Sequence, residues 1–215
     1  MIITAGPKDD KREIKIELPP QHQRIGVMVS GGADSAILLY LLATEWKLAK
    51  SKHELITLCV PRTDGAWDYA GPIVTRVNEM LGLDIPQPIM VGDPTVHHSE
   101  QTNTGERDAR IKHGIEHIFY GSQRHPPVPM PGEYPGRPDR IEYTNKVGIV
   151  TTTCPFALLD KRHTLDLYEA FDVWSLIEIT HSCTALTQGR CGECYNCVER
   201  AWALADMGFT DPGTM

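Results

Sequence analysis

The sequence contains no long apolar run. Its longest, at residues 36–43 (AILLYLLA), is far shorter than the roughly 20 apolar residues that a membrane-spanning helix needs. The first residues turn charged at Lys8, before the apolar stretch of a signal peptide can form. We therefore predict no membrane span and expect a cytoplasmic protein, whose cysteines stay reduced.

An excess of basic charge is also missing. The 28 acidic residues exceed the 21 basic ones, so the formal net charge is −7 and the chain has no overall basic field for a nucleic-acid backbone. This balance predicts no direct binding of nucleic acid. The sequence has no internal repeat, which excludes solenoids, and its 215 residues with 41% hydrophobic content can fill a core.

The hydrophobic pattern alternates between short apolar runs and helical spacing. This alternation predicts βαβ units in an α/β fold, with a doubly wound, largely parallel sheet that binds ligands at the carboxyl ends of its strands. The expected strands are Arg24–Val29, Glu54–Val60, Ile89–Val91, Glu116–Tyr120 and Lys146–Thr153, and the expected helices include Ala33–Leu48, Asp68–Leu81 and Gly105–His113.

The chain divides by composition at about residue 153. Residues 1–153 carry the predicted sheet and are interpreted as a nucleotide-binding domain, while residues 154–215 form a small helical portion rich in cysteine. Residues 121–140 contain six prolines and three glycines and directly follow a predicted strand. Long irregular segments in compact domains are usually functional or disordered, so we favour a loop over the active site to a plain surface excursion.

A glycine-rich turn joins the first long predicted strand to its helix. Its two glycines let backbone amides approach an anion, and the start of the helix adds positive potential, so the turn is suited to a phosphate group. The carboxylate beside this anion site makes sense if Mg²⁺ lies between them. The turn consists of Ser30, Gly31, Gly32, Ala33, Asp34 and Ser35.

This SGGADS turn resembles the SGGxDS signature of the PP-loop ATP pyrophosphatases. In that family the loop holds the pyrophosphate part of ATP while a substrate oxygen attacks the α-phosphorus and becomes adenylated. The resemblance implies that residues 30–35 bind ATP and Mg²⁺ and that Asp34 takes part in catalysis. A plain strand-to-helix turn is the alternative interpretation.

Four of the six cysteines stand close together, at Cys183, Cys191, Cys194 and Cys197. Overlapping CxxC steps with a fourth cysteine nearby can close a tetrahedron of thiolates around Zn²⁺. With four protein ligands the metal would be structural. An iron–sulfur cluster uses the same ligands, and disulfides are the remaining alternative. Cys59, in a predicted strand, is interpreted as a core residue.

The C-terminal region adds a narrower resemblance. From Pro155 to Pro212 the motifs PF, LLDK, THSC, CGECYNC and a closing GFTDP are similar to the carboxyl end of the 7-cyano-7-deazaguanine synthase (QueC) family. That family converts a deazaguanine carboxylate to a nitrile with ammonia and two ATP, adenylating first the acid and then the amide. The resemblance implies that Lys161 is catalytic and stabilises charge on the α-phosphate; an exposed lysine at a helix start is the alternative.

The resemblance also implies substrate residues. The segment YPGR, with Tyr134 and Arg137, resembles the family's YPDCR segment, although Gly136 and Arg137 stand in place of the family's Asp and Cys. The family's RN pair is missing from residues 97–110, which leaves the substrate open. His97 and His98 are interpreted as a solvated loop, and a second metal site at His113 and His117 is not expected.

The expected function is therefore ATP-dependent, AMP-forming amidation and nitrile formation on a 7-deazaguanine, with ATP, Mg²⁺ and Zn²⁺ as cofactors. The expected partners are a small deazapurine and ammonia, and a homodimer is expected. Two alternatives stay open: a PP-loop sulfurtransferase acting on tRNA, and a nucleotide-binding sensor or assembly subunit without turnover.

Overall fold

The computed structural model describes residues 1–96, 98–132, 137 and 139–213, without the side chains of His98 and Ser99. Eight strands and six helices lie within these residues. The strands are β1 (Ile2–Ala5), β2 (Arg12–Lys15), β3 (Arg24–Met28), β4 (Glu54–Cys59), β5 (Ile89–Met90), β6 (His117–Phe119), β7 (Glu142–Thr144) and β8 (Val150–Thr153). The helices are α1 (Ala33–Leu48), α2 (Ala66–Leu81), α3 (His98–His113), α4 (Lys161–Ala170), α5 (Trp174–Ile177) and α6 (Tyr195–Asp206).

Six of the strands form one sheet in the order β5-β4-β3-β6-β8-β7. The first five of these pair in parallel, and β7 joins the edge as an antiparallel neighbour of β8. Strands β1 and β2 form a separate antiparallel hairpin. The predicted α/β fold with a largely parallel sheet is thus confirmed, and its central strand β3 is the one that leads into the glycine-rich turn.

Helices cover both faces of the sheet. Along β4, Leu55 and Cys59 pack into the larger core with α1 and α2, while Ile56 and Leu58 pack into a smaller core with Ala109 of α3. Successive side chains of a strand point to opposite faces, so a strand that is apolar on both must be buried on both. This explains the continuous apolar run of β4 and confirms the doubly wound arrangement.

The helix predictions differ from the structure mainly at their starts. Helix α1 spans the predicted Ala33–Leu48, and α2 begins at Ala66, two residues before the predicted Asp68. Helix α3 begins at His98, seven residues before the predicted Gly105. The first half of α3 has no apolar side chain, and the buried positions described for it are Gln101 and Gly105, so its sequence carries little of the hydrophobic periodicity that identifies a helix.

The predictions of β3, β4 and β6 are confirmed, with ends that differ by at most one residue. The fifth predicted strand is shorter, because β8 begins at Val150 rather than at Lys146. The sequence interpretation missed β1, β2 and β7. Each has only three or four residues and lies at an edge or in a hairpin, where alternation is too short to recognise.

The C-terminal helices share the large core with the sheet. Phe156, Leu165 and Leu204 belong to the same buried cluster as Ile37 and Leu41 of α1. Helix α4 contacts both α1 and α6. Apolar packing therefore continues across the boundary at residue 153. The division into residues 1–153 and 154–215 stays a prediction made from composition. Among the described residues, no helix has the length and apolar character to cross a membrane.

Candidate functional site

The glycine-rich turn lies between the end of β3 and the start of α1. Gly31 has a positive φ of 79°, and a Cβ there would lie 2.9 Å from Cβ of Tyr69, so both backbone conformation and space favour glycine. Gly32 is the N-cap of α1 and offers no side chain to its free amides. Those amides and the helix dipole remain available to an anion.

Internal hydrogen bonds hold the turn in shape. The Ser35 hydroxyl accepts a bond of 3.1 Å from the Ser30 amide and donates one of 3.0 Å to the Gly32 carbonyl oxygen. From outside the turn, the His181 amide donates to the Gly31 carbonyl oxygen at 2.8 Å. The predicted phosphate-binding residues are thus preorganised around one backbone concavity.

Asp34 is held by three side chains from later parts of the chain. Lys161 Nζ forms an ion pair with its carboxylate, Gln123 Nε2 donates to it at 3.0 Å, and Thr164 Oγ1 donates at 3.0 Å. The carboxylate side chain stays 23% exposed. The two residues predicted as catalytic, Asp34 and Lys161, are therefore in direct contact although 127 positions separate them.

Lys161 is buried rather than exposed. It is the first residue of α4, its side chain is 7% exposed, and its Nζ also lies 3.5 Å from Oε2 of Glu199. The helix start is fixed by a capping box, in which Asp160 accepts from the backbone and His163 accepts from the Asp160 amide. An exposed helix-start lysine, the alternative interpretation of the sequence, does not describe this residue.

These residues open into a cavity of about 480 Å³. The cavity lies at the carboxyl ends of the central strands, because its lining includes Val29 after β3, Val60 after β4 and Gly121 after β6. This is the edge at which parallel sheets bind ligands. Lys161 and Arg137 line the same cavity.

The irregular segment after β6 contributes four of the lining residues, Gly121, Ser122, Gln123 and Arg137. Gln123 is fully buried and contacts Asp34, and Arg137 Nη1 donates to the Gln123 carbonyl oxygen at 3.2 Å. Arg137 also pairs with Glu199 at 3.1 Å. Of the two predicted substrate residues, Arg137 thus reaches the cavity, whereas Tyr134 lies outside the described residues. His97 lies outside them as well.

The four clustered cysteines converge on one point. The Sγ atoms of Cys183, Cys191, Cys194 and Cys197 all lie within 4.8 Å of one another. A tetrahedral Zn²⁺ with Zn–S bonds of about 2.3 Å would hold its sulfur atoms about 3.8 Å apart, so the observed spacing fits a single ion after small adjustments. The donor set therefore fits a metal ion.

Backbone amides surround these sulfur atoms. The Leu186 amide donates to Cys183 Sγ at 3.3 Å, and the Cys194 amide donates to Cys191 Sγ at 3.2 Å. Burial disfavours the Cys194 thiolate, but hydrogen bonds from the Thr184 and Cys197 backbone outweigh it and lower the pKa of Cys194 to about 6. A thiol with a lowered pKa is ready to ligate a metal near neutral pH.

The other two cysteines have a different environment. Cys59 in β4 and Cys154 after β8 are buried, and the loss of water raises the pKa of each thiol to about 12. Both are neutral, and Cys59 occupies the core position that the sequence indicated. His117 is also buried, in β6, and bonds Thr153 Oγ1 at 2.9 Å.

The sequence interpretation missed Gln123, Thr164 and Glu199. Gln123 follows Gly121 directly after a strand end, and Thr164 is three residues after Lys161 on one face of α4, so both positions offered a signal. Glu199 offered none, because a carboxylate on a helix is usually exposed. It is only 1% exposed here.

The sequence matches no protein-family model and no curated protein. Three solved structures are similar in fold at low identity. A U34-tRNA thiolase, NcsA, from Methanococcus maripaludis is 14% identical with a TM-score of 0.45, covering 70% of this chain and 56% of its own. An FMN adenylyltransferase from Candida glabrata is 14% identical with a TM-score of 0.43, covering 70% and 49%. An NMN synthetase from Francisella tularensis is 15% identical with a TM-score of 0.46, covering 87% and 83%. This chain thus spans about half the length of the first two.

Proposed function

We propose that this protein is an ATP-dependent enzyme that releases AMP and pyrophosphate, and that it converts a 7-deazaguanine carboxylate to an amide and then to a nitrile. The observation that carries the proposal is the SGGADS turn at the end of β3, which opens into the cavity with Asp34 paired to the buried Lys161. The choice of a deazaguanine rests on the resemblance of the C-terminal motifs.

Each step balances as an adenylation followed by a displacement. The substrate carboxylate oxygen attacks the α-phosphorus, the bond to the β-phosphate oxygen breaks, and pyrophosphate leaves. Ammonia then attacks the carbonyl carbon, AMP leaves with that oxygen, and a proton is released, which gives the amide. The amide oxygen attacks the α-phosphorus of a second ATP, pyrophosphate leaves and one N–H proton is released, which gives an adenylated imidate. Loss of AMP and of the second N–H proton then gives the nitrile.

The residues of the turn would do most of the positioning. Backbone amides from Gly31 to Ser35 bind the pyrophosphate part, and Lys161 stabilises negative charge at the α-phosphate. Asp34 is the carboxylate suited to Mg²⁺, which when bound neutralises phosphate charge. Positioning two substrates and neutralising charge account for most of the rate enhancement in phosphoryl transfer.

The cysteine cluster is proposed to hold Zn²⁺ in a structural role. Four sulfur atoms that all lie within 4.8 Å fit one tetrahedral ion and leave no position for a reactant. A cluster of several iron atoms would hold the thiolates further apart than a single ion does. The homodimer, the deazapurine and ammonia stay predictions.

One observation favours a second candidate, ATP-dependent sulfur transfer to tRNA. Cys183 lines the same cavity as the glycine-rich turn, so a metal held by the cysteine cluster would lie beside the bound nucleotide. The acidic balance of the chain counts against an RNA substrate.

The test is product analysis with Mg·ATP, ammonium and 7-carboxy-7-deazaguanine. We expect the substrate to stimulate release of AMP and pyrophosphate, with the amide and the nitrile detected by mass spectrometry. Asp34→Asn should lower the rate by about 100-fold or more, since it removes a charge from the reacting centre without changing its shape. Asp84→Asn, the same substitution at an exposed position, is the matched control and should match the wild type.

Three outcomes contradict the proposal. Products limited to ADP and orthophosphate would place the cleavage at the wrong bond. Sulfur transfer without a deazaguanine product would favour the second candidate. Tight nucleotide binding with equal, negligible turnover in the wild type and Asp34→Asn would favour a sensor.

A further inference from the structure

Glu199 is a buried carboxylate that bridges two cations of the cavity wall. Its Oε1 lies 3.1 Å from Arg137 Nη2 and its Oε2 lies 3.5 Å from Lys161 Nζ. The side chains of Arg137 and Lys161 are 10% and 7% exposed, and that of Glu199 is 1% exposed. One carboxylate thus joins the irregular segment after β6, the start of α4 and α6.

Cations and carboxylates alternate in the ion pairs described around Glu199. Two cations, Lys161 and Arg137, lie beside two carboxylates, Asp34 and Glu199. Two buried cations this close would repel each other strongly without a carboxylate between them, because water screens them little. Removing one member of a buried ion network leaves an uncompensated charge, so each member constrains the position of the others.

Helix α6 holds Glu199 in place. Cys194 is the N-cap of α6 and Cys197 lies two residues before Glu199, so fixing the cysteine cluster fixes the start of the helix. On the other side, the buried Arg200 binds Asp211 at 2.8 Å and Thr180 Oγ1 at 2.8 Å. The carboxylate therefore projects from a helix turn that is anchored on both sides.

We propose that Glu199 is a positioning residue for the reaction proposed above, on which the inference rests for its catalytic consequence. It holds Lys161 and Arg137 side by side at the cavity wall, and it stays the partner of Lys161 when Asp34 turns toward the nucleotide. Without it, Lys161 would have Asp34 as its one carboxylate partner among the ion pairs described for it. Lys161 would then hold its position less well as the nucleotide enters.

The first test measures how firmly Glu199 holds the segment after β6, and it does not depend on catalytic activity. Arg140 is exposed and is followed by Ile141, so trypsin can cut there when the segment after β6 opens, whereas Arg137 precedes a proline and resists cleavage. We expect Glu199→Gln to raise the rate of cleavage after Arg140 at least fivefold. Glu193→Gln, the same substitution at an exposed position of the cysteine-rich loop, should leave the rate unchanged. An unchanged rate in Glu199→Gln would overturn the proposal.

A second variant covers a loss of folding. If Glu199→Gln loses its bound metal or its cooperative melting, Arg137→Gln, which removes the other end of the same ion pair, decides the question. We expect it to speed cleavage after Arg140 at least fivefold, and a wild-type rate would overturn the proposal.

The catalytic consequence is tested by comparing the effect of the substitution on kcat with its effect on the KM for ATP. For substrate-dependent pyrophosphate release we expect Glu199→Gln to lower kcat at least tenfold while the KM for ATP changes less than threefold. A rise in KM at unchanged kcat would overturn the positioning role. If the wild type releases no pyrophosphate with the deazaguanine, the proposed function fails, and the cleavage experiment still decides whether Glu199 holds the segment.

Discussion

Gly121 lies where the end of β6 approaches the glycine-rich turn. A Cβ at this position would lie 2.9 Å from the carbonyl carbon and oxygen of Asp34 and 3.0 Å from the Ser35 amide nitrogen. Backbone atoms at the start of α1 cannot move aside as a flexible side chain can. The chain after β6 therefore needs glycine here to approach the first turn of α1 so closely, and the shape of the cavity depends on this approach.

We expect Gly121→Ala to destabilise the protein by about 1–3 kcal/mol, the usual cost of forcing an extra carbon into a packed site. It should also lower pyrophosphate release by displacing Asp34. Gly71→Ala is the matched control: Gly71 lies inside α2, where alanine is the better helix former and its Cβ would meet the Gln87 side chain at 3.2 Å. Chemical denaturation measures the stability of both variants, and a pyrophosphate assay measures their activity. Equal stability of Gly121→Ala and the wild type would contradict the close approach.

Asp34 connects two parts of the fold from one sequence position. Asp34 belongs to the first turn of α1, where a carboxylate interacts well with the helix dipole, and it accepts hydrogen bonds from Gln123 and Thr164. Its identity was predictable from the SGGADS motif. Its partners were not, because they come from segments with no fixed spacing from the motif.

Strand β6 carries a buried titratable residue. His117 in β6 is 1% exposed and lies between Val150 and Thr153 of β8. Burial is the main cause that lowers the pKa of His117 from 6.5 to about 4. Between about pH 4 and pH 6.5 the ring is therefore protonated in the unfolded chain and neutral in the folded chain.

We therefore expect His117 to make stability depend on pH in one direction. Its contribution is present above pH 6.5 and is lost as the pH falls toward 4, which amounts to about 2 kcal/mol between pH 7 and pH 5. Urea unfolding at both pH values measures this. His117→Gln should lose less stability than the wild type over the same interval, since other titrating groups are common to both. Identical losses would show that the ring has the same pKa in the folded and the unfolded chain.

Helix α6 begins within the cysteine cluster. Its N-cap is Cys194, a member of the cluster. Structural zinc contributes about 10–16 kcal/mol in small sites, which is as large as the stability of a typical domain. The start of α6 should therefore lose its order when the metal is removed.

We expect Cys194→Ala to lose the proposed zinc and to show fast amide exchange across residues 183–206, while β3 and β4 stay protected. Cys154→Ala is the matched control, because Cys154 is buried outside the cluster and should leave the zinc content at one per chain. Metal analysis and hydrogen exchange measure both effects. Slow exchange in α6 after complete metal loss would mean that apolar packing against α4 suffices.

At the scale of the whole molecule, the net charge of −7 distinguishes the two candidate functions. Affinity for RNA depends on contacts between basic side chains and phosphates and falls steeply with salt. We expect no retention of tRNA by about 1 μM protein in a filter assay at about 150 mM salt. Salt-sensitive retention at that concentration would indicate several phosphate contacts and would favour sulfur transfer.

The inner strands, helices α1 and α2, the glycine-rich turn and the cysteine cluster were determined by the sequence alone. Each depends on residues that are neighbours in the chain, whose periodicity and spacing express a local preference. The ion network of Asp34, Lys161, Glu199 and Arg137 was decided only by the tertiary structure, because the order β4-β3-β6 and the packing of α4 and α6 bring together segments far apart in sequence. The burial that makes these charges interact strongly likewise exists only once the sheet and its helices have packed.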